Sequence, residues 1–141
     1  MSGFSDDERE AMKQRAAELR ASKGLEGAAK TAKELEDCMN AIDGLAGLDR
    51  DIATLLHRVV MDVAPELAPK TWYGFPTYAK DGKNIVFFQP AAKFKARYAT
   101  LGFDENAMLD EGPMWSVAYA VVEVNDAVEA ELRRLVTKAA Q

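Results

Sequence analysis

The spacing of apolar residues predicts two strongly amphipathic helices. Over residues 49–64, apolar side chains recur every three or four positions, which is typical of a helix with one buried face. Asp49 is the expected cap of this helix, and Pro65 ends it because proline cannot continue a helix interior. Asn125 and Asp126 are the expected caps of a C-terminal helix. The apolar positions are Ile52, Leu55, Leu56, Val59, Val60 and Val63 in the first helix and Val128, Leu132, Leu135, Val136 and Ala139 in the second.

The first 30 residues predict a helix with little to pack against. Ser5 and Glu8 have the spacing of a capping box, in which each side chain bonds the backbone N–H of the other residue, so we expect a helix over about residues 6–22. Its apolar stripe is thin, and glycines follow it, beginning at Gly24. We therefore interpret residues 1–30 as a loosely attached helical extension and linker. Docking on a partner or on a second subunit is the alternative.

The domain proper is expected to span residues 31–141. Thr31 and Glu34 repeat the capping-box spacing and predict a short helix that stops at Gly44. Ala68-Pro69 favours an extended entry into the β-sheet that follows.

A hairpin signal lies in the middle of the chain. Residues 71–79 and 84–89 are rich in aromatic and β-branched residues and flank Lys80-Asp-Gly-Lys83, so we expect them to pair antiparallel. Pro76 cannot donate to a ladder. We therefore favour a four-residue loop over a two-residue turn at Asp81-Gly82, and we place 71–79 at the sheet edge.

Two further segments alternate with the period of a β-strand, residues 93–101 and 114–122. Because side chains two apart share a face of a strand, the first segment predicts a row of three cations opposite a row of apolar residues. With the helices, this pattern predicts a single α+β domain whose mainly antiparallel sheet has about four to five strands. The cations are Lys93, Lys95 and Arg97, and the apolar side consists of Phe94, Ala96 and Tyr98.

Composition narrows the class of protein. A chain of 141 residues fits one domain that can bury a core without disulfides. Its formal net charge of −5 argues against a general binder of nucleic acid or anionic membranes, because both need a surplus of cations. Cys38 is the single cysteine, and the sequence predicts neither a leader nor a membrane-spanning segment. We therefore expect a cytoplasmic protein without nucleic-acid or membrane partners.

No motif for catalysis is specific. His57 is the single histidine, which disfavours zinc sites, and there is no Gly-x-Ser-x-Gly turn to supply the serine of a histidine-based triad. Cys38 is interpreted as a structural thiol. An enzyme is therefore the third hypothesis, since it needs a cleft with mutually perturbed pKa values that a sequence does not display.

Four carboxylates surround the predicted connection between the last two strands. Hard cations such as calcium, magnesium or iron prefer such oxygen ligands. The spacing matches no EF-hand loop, and a solvated acidic loop is the alternative interpretation. The carboxylates belong to Asp104, Glu105, Asp110 and Glu111.

The cation row is the candidate binding surface. In an acidic protein, Lys93, Lys95 and Arg97 would receive an anionic small molecule or an acidic protein partner. The nearby apolar wall would come from Trp72, Tyr78 or Trp115. A solvated sheet face whose lysines prevent edge pairing is the alternative.

Three segments carry a resemblance to a known family. They are Pro69-Lys-Thr-Trp-Tyr-Gly-Phe-Pro-Thr-Tyr78, Gly82-Lys-Asn-Ile-Val-Phe-Phe88 and Lys93-Phe-Lys-Ala-Arg-Tyr98, which resemble the YdhG-like family of small bacterial domains of unknown function. The similarity covers about residues 33–139. It implies an α+β domain with an antiparallel sheet and packed helices. Because some members are labelled iron chaperones and likened to frataxin, it also implies iron handling as an alternative function.

These observations lead to one functional expectation with an alternative. We expect a non-enzymatic binding or accessory domain for an anionic small molecule or a protein partner, with no cofactor. The alternative is an iron-handling chaperone that uses surface carboxylates, in which case iron is bound.

Overall fold

The computed structural model of the chain describes residues 5–22 and 26–141, so the predicted linker around Gly24 lies outside the described residues. Within these two ranges, four helices and five strands form a single α+β domain, which confirms the predicted fold class. The helices are α1 (Asp6–Ser22), α2 (Gly27–Asp43), α3 (Gly47–Val63) and α4 (Asp126–Ala139); the strands are β1 (Ala68–Trp72), β2 (Phe75–Lys80), β3 (Lys83–Gln89), β4 (Ala99–Phe103) and β5 (Ala118–Val121); a short 3-10 helix, η1 (Ala92–Phe94), precedes β4.

The sheet is an antiparallel meander in which each strand pairs with the next one along the chain, in the order β1-β2-β3-β4-β5. A β-bulge interrupts the pairing of β2 with β3. Tyr78 pairs with Val86 but Ala79 pairs with Asn84, so Ile85 is the extra residue on β3. Ile85 and Val86 are consequently both buried, although they are adjacent in sequence.

The inner face of the sheet carries the core. Tyr78, Val86 and Phe103 lie in one row across β2, β3 and β4, and Phe88 and Leu101 are paired beside them. These side chains belong to one buried cluster with α2, α3 and α4. The predicted stripes of the two strongly amphipathic helices are thus confirmed as the cover of the sheet. Their contributions are Ile52, Leu55, Leu56, Val59 and Val60 from α3 and Leu132, Leu135, Val136 and Ala139 from α4.

The outer face carries a second set of aromatic residues. Trp72 and Phe75 are paired on β1 and β2, and Phe87 lies two strands from Trp72 with its ring centroid 5.6 Å from the indole. The Phe87 ring also covers Gly102 of β4, where a Cβ would lie 2.2 Å from Phe87 Cζ. The lack of a side chain at position 102 therefore allows the Phe87 ring to pack on this face of the sheet.

The predicted strand over 71–79 is wrong in one respect. Tyr73 and Gly74 have positive φ values of 54° and 80° and form a two-residue turn that divides the segment into β1 and β2. Strand β2 is therefore inside the sheet, and not at its edge. Pro76 is tolerated there because it pairs with Thr71, while the described ladder to β3 begins one residue later, at Thr77.

The predicted four-residue loop at 80–83 is also wrong. Lys80 pairs with Lys83 across a two-residue turn whose residues, Asp81 and Gly82, have φ values of 51° and 81°. This backbone twist matches the twist of paired strands, which makes the shorter turn favourable.

The predicted strand over 93–101 begins only at Ala99, and the strand expected over 114–122 is confined to β5. Residues 92–94 form η1 instead, and Lys95 follows in the left-handed conformation with φ 52°. The cause is a long-range interaction, because the Asp49 carboxylate accepts the N–H groups of Ala91 and Ala92, each at 3.0 Å. The row of cations along one strand face therefore does not form.

Helix starts were predicted with mixed success. The capping box at Ser5 and Glu8 is confirmed, with Glu8 N donating to Ser5 Oγ at 3.1 Å and Ser5 N donating to Glu8 Oε1 at 3.2 Å. The capping box at Thr31 is wrong, since α2 begins at Gly27 and the Thr31 hydroxyl donates to the Gly27 carbonyl. Asp49 lies inside α3 and does not cap it.

Within the two described ranges, none of the helices combines the length and the apolar character needed to cross a lipid bilayer.

Candidate functional site

A cleft of about 460 Å³ opens between α1, α2 and the turn that joins β1 to β2. We call it the hairpin cleft. Its polar lining comes from all of the surrounding elements, including Gln14 and Glu18 of α1, Asp37 and Asn40 of α2, Thr71 and Gly74 at the turn, and Lys93 of η1. A concavity lined by a few convergent polar groups is the usual form of a small-molecule site.

Lys93 is the cation that η1 brings to this cleft. Its side chain is half-buried, its Nζ lies 3.5 Å from the Tyr73 carbonyl oxygen, and it lies 5.6 Å from the ring centroid of Phe75. Burial lowers the pKa of Lys93, while the charges of Glu10 and Glu18 partly oppose that shift. Within the described part of the chain, Lys93 has no carboxylate at ion-pair distance.

Gly74 allows the close approach of this ammonium group to the turn. Its φ of 80° belongs to the region that favours glycine, and a Cβ at this position would lie 2.5 Å from Lys93 Nζ. The Gly74 N–H donates outward, to Glu18 Oε2 of α1 at 2.8 Å. A backbone donor and an ammonium group thus lie beside each other at the cleft.

The Asp49 carboxylate anchors η1 through two hydrogen bonds. Its carboxylate is largely buried, with 8% of the residue exposed, and it bonds the first two N–H groups at the start of η1. Charge-assisted hydrogen bonds of this kind are among the stronger ones in proteins. Asp49 therefore positions Lys93, a role that the sequence did not indicate because the contact spans more than 40 residues.

An aromatic groove of about 780 Å³ lies next to the same turn. Trp72, Phe75 and Phe87 of the outer sheet face line it together with Phe94 of η1 and Ala11 of α1. The rings contact one another, with Phe75 and Phe94 in an edge-to-face arrangement at 5.4 Å between centroids. Trp72, a predicted wall residue, therefore lies near the turn that bears the hairpin cleft.

Tyr78 is in the core. Its hydroxyl lies 2.9 Å from His57 Nδ1, and both Tyr78 and Cys38 are fully buried. Burial raises the pKa of the Cys38 thiol to about 11, raises the pKa of Tyr78 and lowers that of His57. Near neutral pH the thiol and the phenol are therefore protonated, which leaves Cys38 without the thiolate of a nucleophile.

The remaining candidate ligand-binding residues are scattered. Lys95 and Arg97 are exposed, and the Arg97 guanidinium lies over the ring of Tyr98 at 5.1 Å. Trp115 lies far along the sheet order, next to β5, in a hollow with Tyr119 and α4. Of the three predicted cations, Lys93 is therefore the one that lines the hairpin cleft.

The four carboxylates proposed for a metal do not converge. Asp104 accepts a hydrogen bond from Asn106 at 2.9 Å, Glu111 pairs with Lys138 at 3.3 Å, and Glu105 and Asp110 are exposed. Among residues 5–22 and 26–141, no three His, Cys, Asp or Glu side chains are grouped so that they can hold a metal ion.

Glu18 and Gly74 are the site residues that sequence reasoning missed. Gly74 had a signal, because a glycine between two strand-like segments often marks a turn or a close approach. Glu18 had none, since its contact with Gly74 joins residues 56 positions apart.

Comparison with known proteins finds no relative: no family model matches the chain, and no curated protein or solved structure matches it. The resemblance to the YdhG-like family stays a prediction.

Proposed function

We propose that the chain is a non-enzymatic binding domain that takes a small anionic molecule in the hairpin cleft. The observation that supports this proposal is that one charged side chain of the cleft lining has no ion-pair partner among the described residues. Four charged side chains line the cleft, and among the described residues three of them are already in ion pairs: Lys33 with Asp37 at 2.9 Å, and Glu18 with Arg15 at 3.4 Å. Lys93 is the remaining charge, half-buried and without a carboxylate partner.

The energetics favour an anion at this position. An ammonium group that is partly withdrawn from water loses hydration, and an anionic ligand restores the lost interaction. A hydrogen bond to a charged group contributes about 1.5–3 kcal/mol, which corresponds to roughly a tenfold to hundredfold change in affinity. Gln14, Asn40 and Thr71 add neutral hydrogen-bonding groups to the same lining.

A binding role fits the cleft better than catalysis. Cys38 is buried in the core, His57 contacts Tyr78 there, and neither Cys38 nor His57 lines the cleft. The lining therefore has a cation and hydrogen-bonding groups, but neither the described thiol nor the described imidazole is placed to act as nucleophile or base.

Replacement of Lys93 tests the proposal. Small anions, including inorganic phosphate, acetate and citrate, are titrated into the full chain while amide chemical shifts are recorded. We expect saturable shifts at Gly74 and Thr71, with an affinity about tenfold or more lower in Lys93→Gln.

Lys95→Gln is the matched control, because it removes the same charge two residues away from an exposed position outside the cleft. Equal weakening by both variants would show a general charge effect and contradict the proposal. Absence of saturable shifts with every anion would contradict it as well.

The iron-handling alternative has weaker support. It rests on the family resemblance and on carboxylates that do not form a group of three ligands within the described ranges. We therefore do not advance it as a second proposal.

A further inference from the structure

The hairpin cleft contains an anionic group of the chain itself. Glu18 Oε2 accepts the Gly74 N–H at 2.8 Å, and only 12% of the Glu18 side chain is exposed. The second oxygen of this carboxylate, Oε1, pairs with Arg15, one helical turn earlier, at 3.4 Å. Glu18 thus reaches from α1 to the site where the proposed ligand would meet the turn.

The geometry of the turn leaves the Gly74 N–H without a hydrogen-bond partner within the hairpin. In a two-residue β-hairpin the flanking pair, Trp72 and Phe75, forms the last ladder hydrogen bonds, and the turn residues point their own N–H groups away from the ladder. An acceptor from outside the hairpin is needed, and the Glu18 carboxylate supplies it.

Lys93 provides the second donor of the same site. Its Nζ lies 3.5 Å from the Tyr73 carbonyl oxygen and close to Gly74, where glycine leaves room for it. A backbone N–H beside an ammonium group is a donor pair that a carboxylate can satisfy with its two oxygens.

We propose that Gly74 and Lys93 form a carboxylate-binding site and that Glu18, carried by α1, occupies the Gly74 N–H of that site as a built-in competitor of the ligand. This inference rests on the proposed function and narrows the anionic ligand to a carboxylate. Glu18 is the chemical model for that ligand, because its carboxylate is the anion that the Gly74 N–H already binds.

The charge of the cleft agrees with a carboxylate rather than a phosphate. Glu18 and Asp37 are acidic lining residues, and Lys93 is the single lining cation left without an ion pair among the described residues. One ammonium group and one N–H suit a monoanion. A phosphate dianion, with three strong acceptor oxygens, would require more donors or more positive charge.

Helix α1 buries little apolar surface against the rest of the domain, so Glu18 can move out of the site. Ala11 is the buried apolar residue that α1 contributes among those described, whereas Met12 is 38% exposed. A tethered group competes at an effective concentration on the order of millimolar. Occupancy by Glu18 therefore lowers the apparent affinity for a free carboxylate in proportion to the occupied fraction.

The test titrates acetate, the simplest carboxylate, into four forms of the full chain: wild type, Glu18→Gln, Glu10→Gln and Glu18→Gln combined with Lys93→Gln. The amide shift of Gly74 is the readout. We expect the acetate dissociation constant to fall about tenfold in Glu18→Gln, since the neutral amide competes less well, and binding to be lost in the double variant.

Glu10→Gln separates occupancy from general electrostatics. Glu10 lies on the same helix and its charge also acts on Lys93, but Glu10 is exposed and the Gly74 N–H is bonded by Glu18 instead. We expect its acetate affinity to stay within about threefold of wild type, because it removes a charge without vacating the site. An increase in acetate affinity as large as that of Glu18→Gln would overturn the inference.

The outcomes distinguish the inference from the function on which it rests. If wild type and Glu18→Gln bind acetate equally at Gly74, Glu18 is no competitor, yet the hairpin cleft still binds anions. If inorganic phosphate binds there and acetate does not, the carboxylate specificity is wrong and the proposed function survives. If neither anion gives a saturable shift in any form, both proposals fail.

Discussion

The two ends of the sheet are built in opposite ways. At the β1 end, α1 and α2 lie against the strands, the turn N–H of Gly74 is bonded by a helix, and Lys93 is drawn in beside it. We call this the covered end. At the other end, β5 and its flanking segments expose large apolar side chains, and we call this the bare end. The exposed residues are Met108, Met114, Trp115, Val117, Val122 and Val124.

The backbone shows the same contrast. Phe103 N donates to Val117 O, so residues 117, 119 and 121 direct their backbone groups toward β4. Ala118 and Ala120 consequently direct theirs away from it, and both residues are exposed. A binding site forms where a helix packs beside N–H groups of a turn that have no partner in the sheet and encloses a charged side chain. The bare end has free backbone groups, and α4 lies beside β5, but the α4 cations Arg134 and Lys138 are already paired with Glu131 and Glu111.

The largest predicted effect is a loss of stability at the covered end when Asp49 is replaced. Asp49→Ala removes two charge-assisted hydrogen bonds and leaves the N–H groups of Ala91 and Ala92 without their acceptor. We expect the free energy of unfolding to fall by about 2–4 kcal/mol, measured by denaturant titration. Asp51→Ala is the matched control, because Asp51 is exposed on the same helix, and it should change stability by under about 0.5 kcal/mol. A loss in Asp49→Ala as small as that in the control would show that η1 does not depend on Asp49.

A smaller effect concerns the core beneath the covered end. Burial lowers the pKa of His57 below its ordinary value of 6.5, so below pH 6.5 the unfolded chain binds more protons than the folded one. The contribution of neutral His57 is fully present above pH 6.5 and is lost as the pH falls toward the lower folded-state pKa. In His57→Asn, which keeps an acceptor for the Tyr78 hydroxyl, this part of the pH dependence disappears.

The measurement is the difference in unfolding free energy between wild type and His57→Asn at several values between pH 5 and pH 8. We expect the difference to be constant above pH 6.5 and to move against wild type below it. A shift in the opposite direction would mean that the folded state favours protonated His57.

Local signals in the sequence predicted local structure well. The capping box at Ser5 and the cap at Asn125 each depend on residues within one helical turn. Asn125 Oδ1 accepts the N–H of Val128 at 2.9 Å, as its position before an amphipathic stripe indicates. The stripes of α3 and α4 likewise predicted the inner face of the sheet, because periodicity reports which side of a helix is buried.

The errors had two causes, and the first is a distant residue that overrides a local pattern. Residues 93–101 alternate like a strand, but the Asp49 carboxylate, 42 positions before Ala91, stabilises a 3-10 turn there instead. The Tyr73 turn was missed because a tyrosine with φ 54° is uncommon, and Tyr-Gly is a weaker turn signal than Asn-Gly or Asp-Gly. Lys93 was selected as part of a row that does not form. Its real neighbours, Glu18 and Gly74, meet only in the folded chain.

The smallest predicted effect concerns the bare end. Met114 is 85% exposed and Val122 is 66% exposed, so lysine at either position buries no charge and removes little apolar contact. We expect Met114→Lys and Val122→Lys to change the free energy of unfolding by under about 0.5 kcal/mol at low protein concentration. Denaturant titration of each variant, repeated over a hundredfold range of protein concentration, measures this. A loss above about 1 kcal/mol that grows with protein concentration would contradict the contrast between the two ends, because a destabilisation of that kind arises when a second copy covers the exposed strand in solution.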